Sequence, residues 1–266
     1  MTKIAWATDI HLEFCSTARI EQFTDEVRAA APDVLLLAGD IATARSLTTA
    51  LGLLEERLQC PIYFVLGNHD FYGGSIRSVR AEVVTRTESS PSLRWLPTAG
   101  VVSLSTDTAL IGVDGWGDAR YGDVRSSGVR LNDFRLILEV RSLDLDSRVR
   151  QLHLLGDEEA SLLRHLVSQA VEMHRRIVVV THVPPFAEAA WHEGKPSAPD
   201  WAPFFACKAT GDVLLRIAGE RPDVEFLVLC GHTHGAGEFV PLPNLRVLTG
   251  AAEYGEPRVQ DVLVLP

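Results

Sequence analysis

The sequence predicts an α/β fold in which a parallel sheet gives way to a mixed one. Three observations carry that prediction. Short apolar runs alternate with helical patterns through the first half of the chain, and a closely spaced strand pair and a strand-rich C-terminal quarter follow. Five clusters of Asp, His and Asn each follow an apolar run, and the carboxyl ends of strands are where open α/β sheets gather their ligands.

Lys3 to Ala7 reads as the first strand, and Ile20, Phe23 and Val27 mark one face of the helix after it. Val34 to Ala38 is apolar throughout, as a strand buried on both faces must be. Leu47, Leu51, Leu54 and Leu58 recur at helical spacing before the strand Ile62 to Leu66. This βαβαβ rhythm requires a parallel sheet with right-handed crossovers. A helix near Ser75 to Thr87 follows. Val101 to Leu104 and Ala109 to Val113 are close enough to pair as a hairpin, which makes the sheet mixed. A helix near Asp157 to His174 leads into the strand Ile177 to Val180, and one near Gly211 to Ala218 into Glu225 to Leu229. Gly237 to Val240, Leu245 to Leu248 and Val259 to Leu265 complete the strands. Trp6, Trp95 and Trp116 read as core.

With no repeat or linker, the 266 residues read as a single domain. Segments 115–155 and 184–205 lack periodicity, and irregular stretches of that length tend to be lids or binding loops. The formal net charge is −10 with no Lys/Arg run, which speaks against a nucleic-acid or anionic-membrane surface. Four cysteines without a C-x-x-C pair read as reduced thiols rather than a disulfide scaffold. The N-terminus lacks the apolar core of a signal peptide and no run approaches membrane-spanning length, so the cytoplasm is the expected compartment.

The five clusters are Asp9-Ile10-His11, Gly39-Asp40, Gly67-Asn68-His69-Asp70, His182 and Gly231-His232-Thr233-His234. Period-two spacing would put Asp9 and His11 on one face of an extended chain, and His232 and His234 likewise. Asp-x-His alone is a weak signal, whereas Gly-His-x-His is expected only about 0.02 times in a chain of this composition. Buried acids such as Asp9 and Asp40 are expensive without a cation. Asn68 also fits an ordinary left-handed turn residue. His153, His165, His174 and His192 have no partner spacing and read as surface or packing residues. Oxygen and imidazole donors without a thiolate suit Mn²⁺, Fe, Zn²⁺ or Co²⁺.

In this order, D-x-H, G-D, G-N-H-[DE], a lone His and G-H-x-H, the motifs resemble those of the calcineurin-like metallophosphoesterase superfamily, across residues 9–234. The resemblance implies a four-layer α/β/β/α sandwich with two mixed sheets and a dinuclear metal centre where their loops meet. By motif, one divalent metal would be held by Asp9, His11, Asp40 and His234. The second would be held by Asp40, Asn68, His182 and His232, with Asp40 bridging. Two such cations can clamp a phosphoryl group and turn a bridging water into an in-line nucleophile. His69 is then the non-ligand residue that faces substrate, and Asp70 is expected to accept its other ring N–H.

Protein phosphatases of the superfamily carry G-D-x-x-D-R-G and an Arg before G-N-H-E. Here Asp40 is followed by Ile41-Ala42-Thr43-Ala44, and Leu66 precedes Gly67. Those phosphate-gripping arginines are missing, and the chain looks more like the smaller bacterial-type members. A small phosphodiester is the expected substrate, with a phosphomonoesterase, a nuclease or a metal-binding scaffold as alternatives. Tyr72, Arg120, Arg125 and Arg135 lie in or beside motif loops and are candidate substrate contacts.

Overall fold

The computed structural model describes all residues, Met1 to Pro266. Strand β1 (Thr2–Ala7), helix α1 (Thr17–Ala30), β2 (Val34–Ala38), α2 (Leu47–Arg57), β3 (Ile62–Val65), α3 (Ile76–Glu88) and β4 (Leu93–Trp95) form the first half. A short helix α4 (Leu96–Ala99) precedes the antiparallel pair β5 (Val102–Ser103) and β6 (Thr108–Gly112). Then come α5 (Asp133–Leu136), the long α6 (Leu145–Met173) and β7 (Arg176–Val180). A small hairpin, β8 (Trp191–His192) and β9 (Lys195–Pro196), precedes α7 (Ala202–Phe205) and α8 (Lys208–Glu220). The chain ends with β10 (Glu225–Cys230), β11 (Gly237–Leu242), β12 (Leu245–Thr249) and β13 (Asp261–Leu265).

Two mixed sheets result, ordered β13-β1-β2-β3-β4 and β11-β12-β10-β7-β6-β5. In each, the central strands run parallel and antiparallel strands close an edge: β13 on β1, β11 on β12 and β5 on β6. Because side chains alternate across a strand, each central strand feeds two cores. Ala5, Leu35, Leu37 and Phe64 face Phe23, Val27, Leu51 and Val83 of α1 to α3. Ile4, Trp6, Leu36 and Ala38 face Leu110, Val178, Val180 and Leu229 of the other sheet. Ile111, Val179 and Val228 then meet Leu163, Val167, Leu214 and Ile217 of α6 and α8. The four layers α/β/β/α follow from the wholly apolar runs.

Helix α6 begins twelve residues before the expected Asp157, where Asp144 caps it by accepting the Ser147 N–H at 2.8 Å. Gly156 therefore lies inside the helix, where a Cβ would press on Asp118. The irregular stretch is correspondingly shorter than 115–155. Its first part packs against the second irregular stretch: Ala119 N donates to Pro203 O at 2.8 Å and Ser127 Oγ to Asp200 O at 2.8 Å. No helix is long and apolar enough to cross a membrane.

Candidate metal centre

The carboxyl ends of β1, β2, β3, β7 and β10 converge at one edge of the sandwich, and loop-to-loop hydrogen bonds fix their relation. Asp9 N donates to Gly39 O at 3.1 Å, His11 N to Asp40 O at 3.0 Å, and Gly231 N to His182 O at 2.9 Å. The two sheets are joined by His182 Nδ1 to Ala38 O at 2.8 Å and His232 N to the Asp9 carboxylate at 3.1 Å.

Asp9, His11, Asp40, His232 and His234 all have left-handed backbone, with φ of 50°, 40°, 51°, 70° and 58°. The Asp-x-His and His-x-His pairs therefore reach one point through strained turns, not along extended chain as their spacing suggested. Such conformations cost on the order of 1–3 kcal/mol each for residues with a Cβ and cluster at functional sites. Asn68, by contrast, is right-handed, with φ −63° and ψ −34°. Its side chain therefore answers to the site and not to a left-handed turn.

The side chains form two groups that share Asp40. On one side, His234 Nε2 lies 3.4 Å from Asp9 Oδ1 and 3.3 Å from His11 Nε2, which is 3.7 Å from Asp40 Oδ2. On the other, His182 Nε2 lies 3.3 Å from Asp40 Oδ1, 3.1 Å from Asn68 Oδ1 and 3.2 Å from His232 Nδ1. Donors about 2.0–2.2 Å from a common cation sit roughly 3.0–3.5 Å from one another, so this spacing suits coordination shells. The one longer edge, His11 to Asp40, lies just outside that range. Asp9 and Asp40 are buried, and their only ion-pair partners are histidines. Two buried carboxylates with no Lys or Arg call for a cation. Burial opposes a charge on His182, but the attraction of Asp40 prevails and pushes its imidazole up to about 10. Burial and the neighbouring His182 drive His232 down to about 3. The residues therefore fit two divalent cations, at Asp9–His11–Asp40–His234 and at Asp40–Asn68–His182–His232.

Outer contacts set which atom each candidate donor presents. His182 gives its Nδ1–H to Ala38 O, and His232 its Nε2–H to Phe204 O at 3.1 Å, which turns Nε2 and Nδ1 respectively toward the centre. Asn68 donates its amide to Asp133 Oδ1 at 2.9 Å and to Tyr72 Oη at 3.1 Å, so its oxygen points inward. Tyr72 Oη in turn donates to Asp133 Oδ1 at 2.6 Å. Asp133 was missed in the sequence because it sits 65 residues from Asn68 in a segment without periodicity.

His69 lies beside these two donor groups and belongs to neither, although it meets His11 and Glu13 in a third cluster whose ligand-type atoms lie within 4.8 Å of one another. Its ring lies 4.6 Å from that of His11 and 4.2 Å from Tyr72, on the wall of an open cavity of about 340 Å³. Asp70 does not serve it. The Asp70 carboxylate is fully buried on the opposite side of the turn, where it accepts Ile41 N, Ala42 N and Gly67 N at 2.9, 2.9 and 2.8 Å. Adjacent residues of a one-turn 3₁₀ helix point in different directions, which is why His69 and Asp70 part.

Of the proposed substrate contacts, Tyr72 lines the cavity and the three arginines do not. Arg120 is held by Asp118 and, bidentately at 2.8 Å, by Asp157; Arg125 pairs with Asp146; Arg135 is exposed on α5. Arg130 is the arginine at the cavity, with Trp201, Phe205, His192 and Tyr254. For Arg130, His192, Trp201 and Phe205 the only signal in the sequence was residence in the irregular segments, and Tyr254 carried none.

The two-sheet sandwich and its Asp/His centre together define a metallophosphoesterase. The chain belongs to the calcineurin-like phosphoesterase family, whose sequence profile matches residues 2–236. Its fold is similar to that of a phosphopantetheinyl hydrolase from Mycobacterium tuberculosis, at 15% identity and a TM-score of 0.70, covering 95% of this chain and 90% of that one. A dimetal phosphatase from Danio rerio is similar at 15% identity and 0.56, covering 94% and 87%. The protein TT1561 of Thermus thermophilus is similar at 13% and 0.56, covering 94% and 89%. No curated protein matches the chain.

Proposed function

We propose that this phosphoesterase hydrolyses small phosphodiesters with the help of two divalent cations. The observation that carries the reading is the shared Asp40, whose two oxygens face separate donor groups, with His69 free beside them. The cations, when bound, supply Lewis acidity for the phosphoryl group and for the attacking water. Asp9, Asp40, Asn68 and the four histidines would hold them, with Asp133 and Tyr72 aiming Asn68. His69 hydrogen-bonds the ester at the cavity wall and delivers a proton to the departing oxygen. The diester preference is supported by charge: Arg130 is the single Lys or Arg lining the cavity. A diester carries one negative charge near neutral pH, whereas a monoester carries ≈ −1.5 to −2 and calls for more cationic contacts.

The test is Mn²⁺-dependent hydrolysis of bis(p-nitrophenyl) phosphate beside p-nitrophenyl phosphate, at equal concentration and with a chelator control. Faster diester cleavage, abolished by chelation, is expected. Faster monoester cleavage overturns the diester preference, and silence on both with two metals bound makes the chain a metal-binding scaffold.

A further inference from the structure

The cavity over the metal donors has a second lobe. The first lobe, about 340 Å³, runs from Asp40 and His232 past Phe205 to Trp201, with Arg130 at its rim. The second, about 630 Å³, lies beyond His69 and is bordered by Glu13, Phe14, Leu136 and Tyr254. His69, Tyr72, Asn132 and Tyr254 line both, so the lobes meet at the residue that faces the reacting phosphorus.

The two lobes differ in chemistry. Phe205 packs 5.1 Å from His232 and 4.8 Å from Trp201, so an aromatic wall runs from the metal centre outward in the first lobe. Arg130 stands in that lobe without a carboxylate partner, one nitrogen held by Val129 O at 2.9 Å. The second lobe has no Lys or Arg. Instead Phe14, Leu136 and Tyr254 expose 57%, 40% and 50% of their surface around it, and Phe14 and Tyr254 rings lie 5.0 Å apart. Large apolar side chains gathered at the mouth of a functional cleft mark a surface that is covered in use. Glu13 also borders it, with its carboxylate 3.8 Å from His11 Nδ1.

Resting on the phosphodiester reading above, we infer that the substrate is an unsymmetrical diester whose retained ester group is an apolar chain. That chain lies on Phe14, Leu136 and Tyr254, while the leaving alcohol lies along Phe205 and Trp201. Water oxygen bonds to phosphorus, the P–O bond to the leaving group breaks, and a water proton ends on the departing oxygen. The products are an alkyl phosphate and an alcohol.

The experiment is a series of p-nitrophenyl methyl, butyl and hexyl phosphates with Mn²⁺-loaded protein, read by p-nitrophenol release. A methylene moved out of water favours binding by about fourfold, so partial burial of a hexyl chain should lower KM at least tenfold from the methyl ester. Phe14→Ser and Leu136→Ser should each flatten that gradient. A flat series in a protein that does cleave the diesters overturns the inference and leaves the phosphodiester reading standing. So does a gradient that survives both substitutions. Preference for the choline ester over its uncharged isostere, the 3,3-dimethylbutyl ester, would assign the lobe to Glu13 and a cation and overturn the apolar assignment. Cleavage of p-nitrophenyl phosphate with every diester left intact removes the diester reading, and this inference with it.

Discussion

Asp40 meets three demands with one side chain. Its Oδ2 faces His11, its Oδ1 faces His182, and Oδ1 also accepts the backbone N–H of His69 at 2.9 Å, all from a left-handed residue. Removing it leaves neither donor group complete, so Asp40→Ala should hold fewer than two metal equivalents by elemental analysis; two retained equivalents would rule out the shared role. His69 and Asp70, adjacent in sequence, should part company when mutated. His69→Ala should keep both metals and its urea midpoint while losing roughly 10²–10⁴-fold in turnover, the usual worth of a positioned proton donor. Asp70→Ala strands three buried N–H groups, each costing about 1–3 kcal/mol, so its urea midpoint should fall sharply. An unchanged midpoint in Asp70→Ala, paired with lost turnover, would return that carboxylate to the chemistry. The sequence made the identity of these residues legible, because strand ends announce themselves. The direction of Asp70 was not legible, since it depends on backbone amides some 28 residues away.

At the scale of elements, the site depends on how closely β1, β3 and β10 can be followed by their loops. A Cβ on Gly67 would fall on Asp40 Oδ1, and one on Gly231 would fall on Asp9 Oδ2 and Thr8 Oγ1. The glycines that open G-N-H-D and G-H-x-H are thus required by the carboxylates of the neighbouring strands. Gly231→Ala should leave the sheets intact by circular dichroism but weaken metal binding at least tenfold, the scale on which outer contacts tune a site. Full metal affinity in that variant would mean that Asp9 has room to move and is not a fixed ligand. The apolar runs exposed most strands and both sheet cores, because each central strand is buried on two faces. Strand β4 and the start of α6 were hidden for opposite reasons. Leu93–Trp95 is too short to show a period, and Gly156 reads as a break until Asp118 is seen to occupy the space a side chain would need.

At the scale of the whole molecule, one buried network ties both sheets and two helices to the site. Asp114, just after β6, accepts Leu66 N at 2.9 Å, Trp95 Nε1 at 2.9 Å and Arg80 Nη2 at 2.9 Å. Its carbonyl accepts His182 N at 2.8 Å, so the residues before Asn68 and the candidate donor His182 share one anchor. Arg80 also donates to Glu159 of α6 at 2.5 Å. Two buried carboxylates around one guanidinium cannot both be charged cheaply. Burial, and then the Asp114 charge, push Glu159 up from 4.5 to about 7. The folded protein therefore holds this proton over a range in which the unfolded chain has released it. That contribution is complete below pH 4.5 and is lost as pH rises through about 7. Glu159→Gln removes the titration while keeping the shape. Plotted as urea midpoint against pH, the wild type should lose stability relative to Glu159→Gln between pH 5 and 7.5. Parallel curves would show that Glu159 stays charged throughout and that Arg80 alone balances both carboxylates.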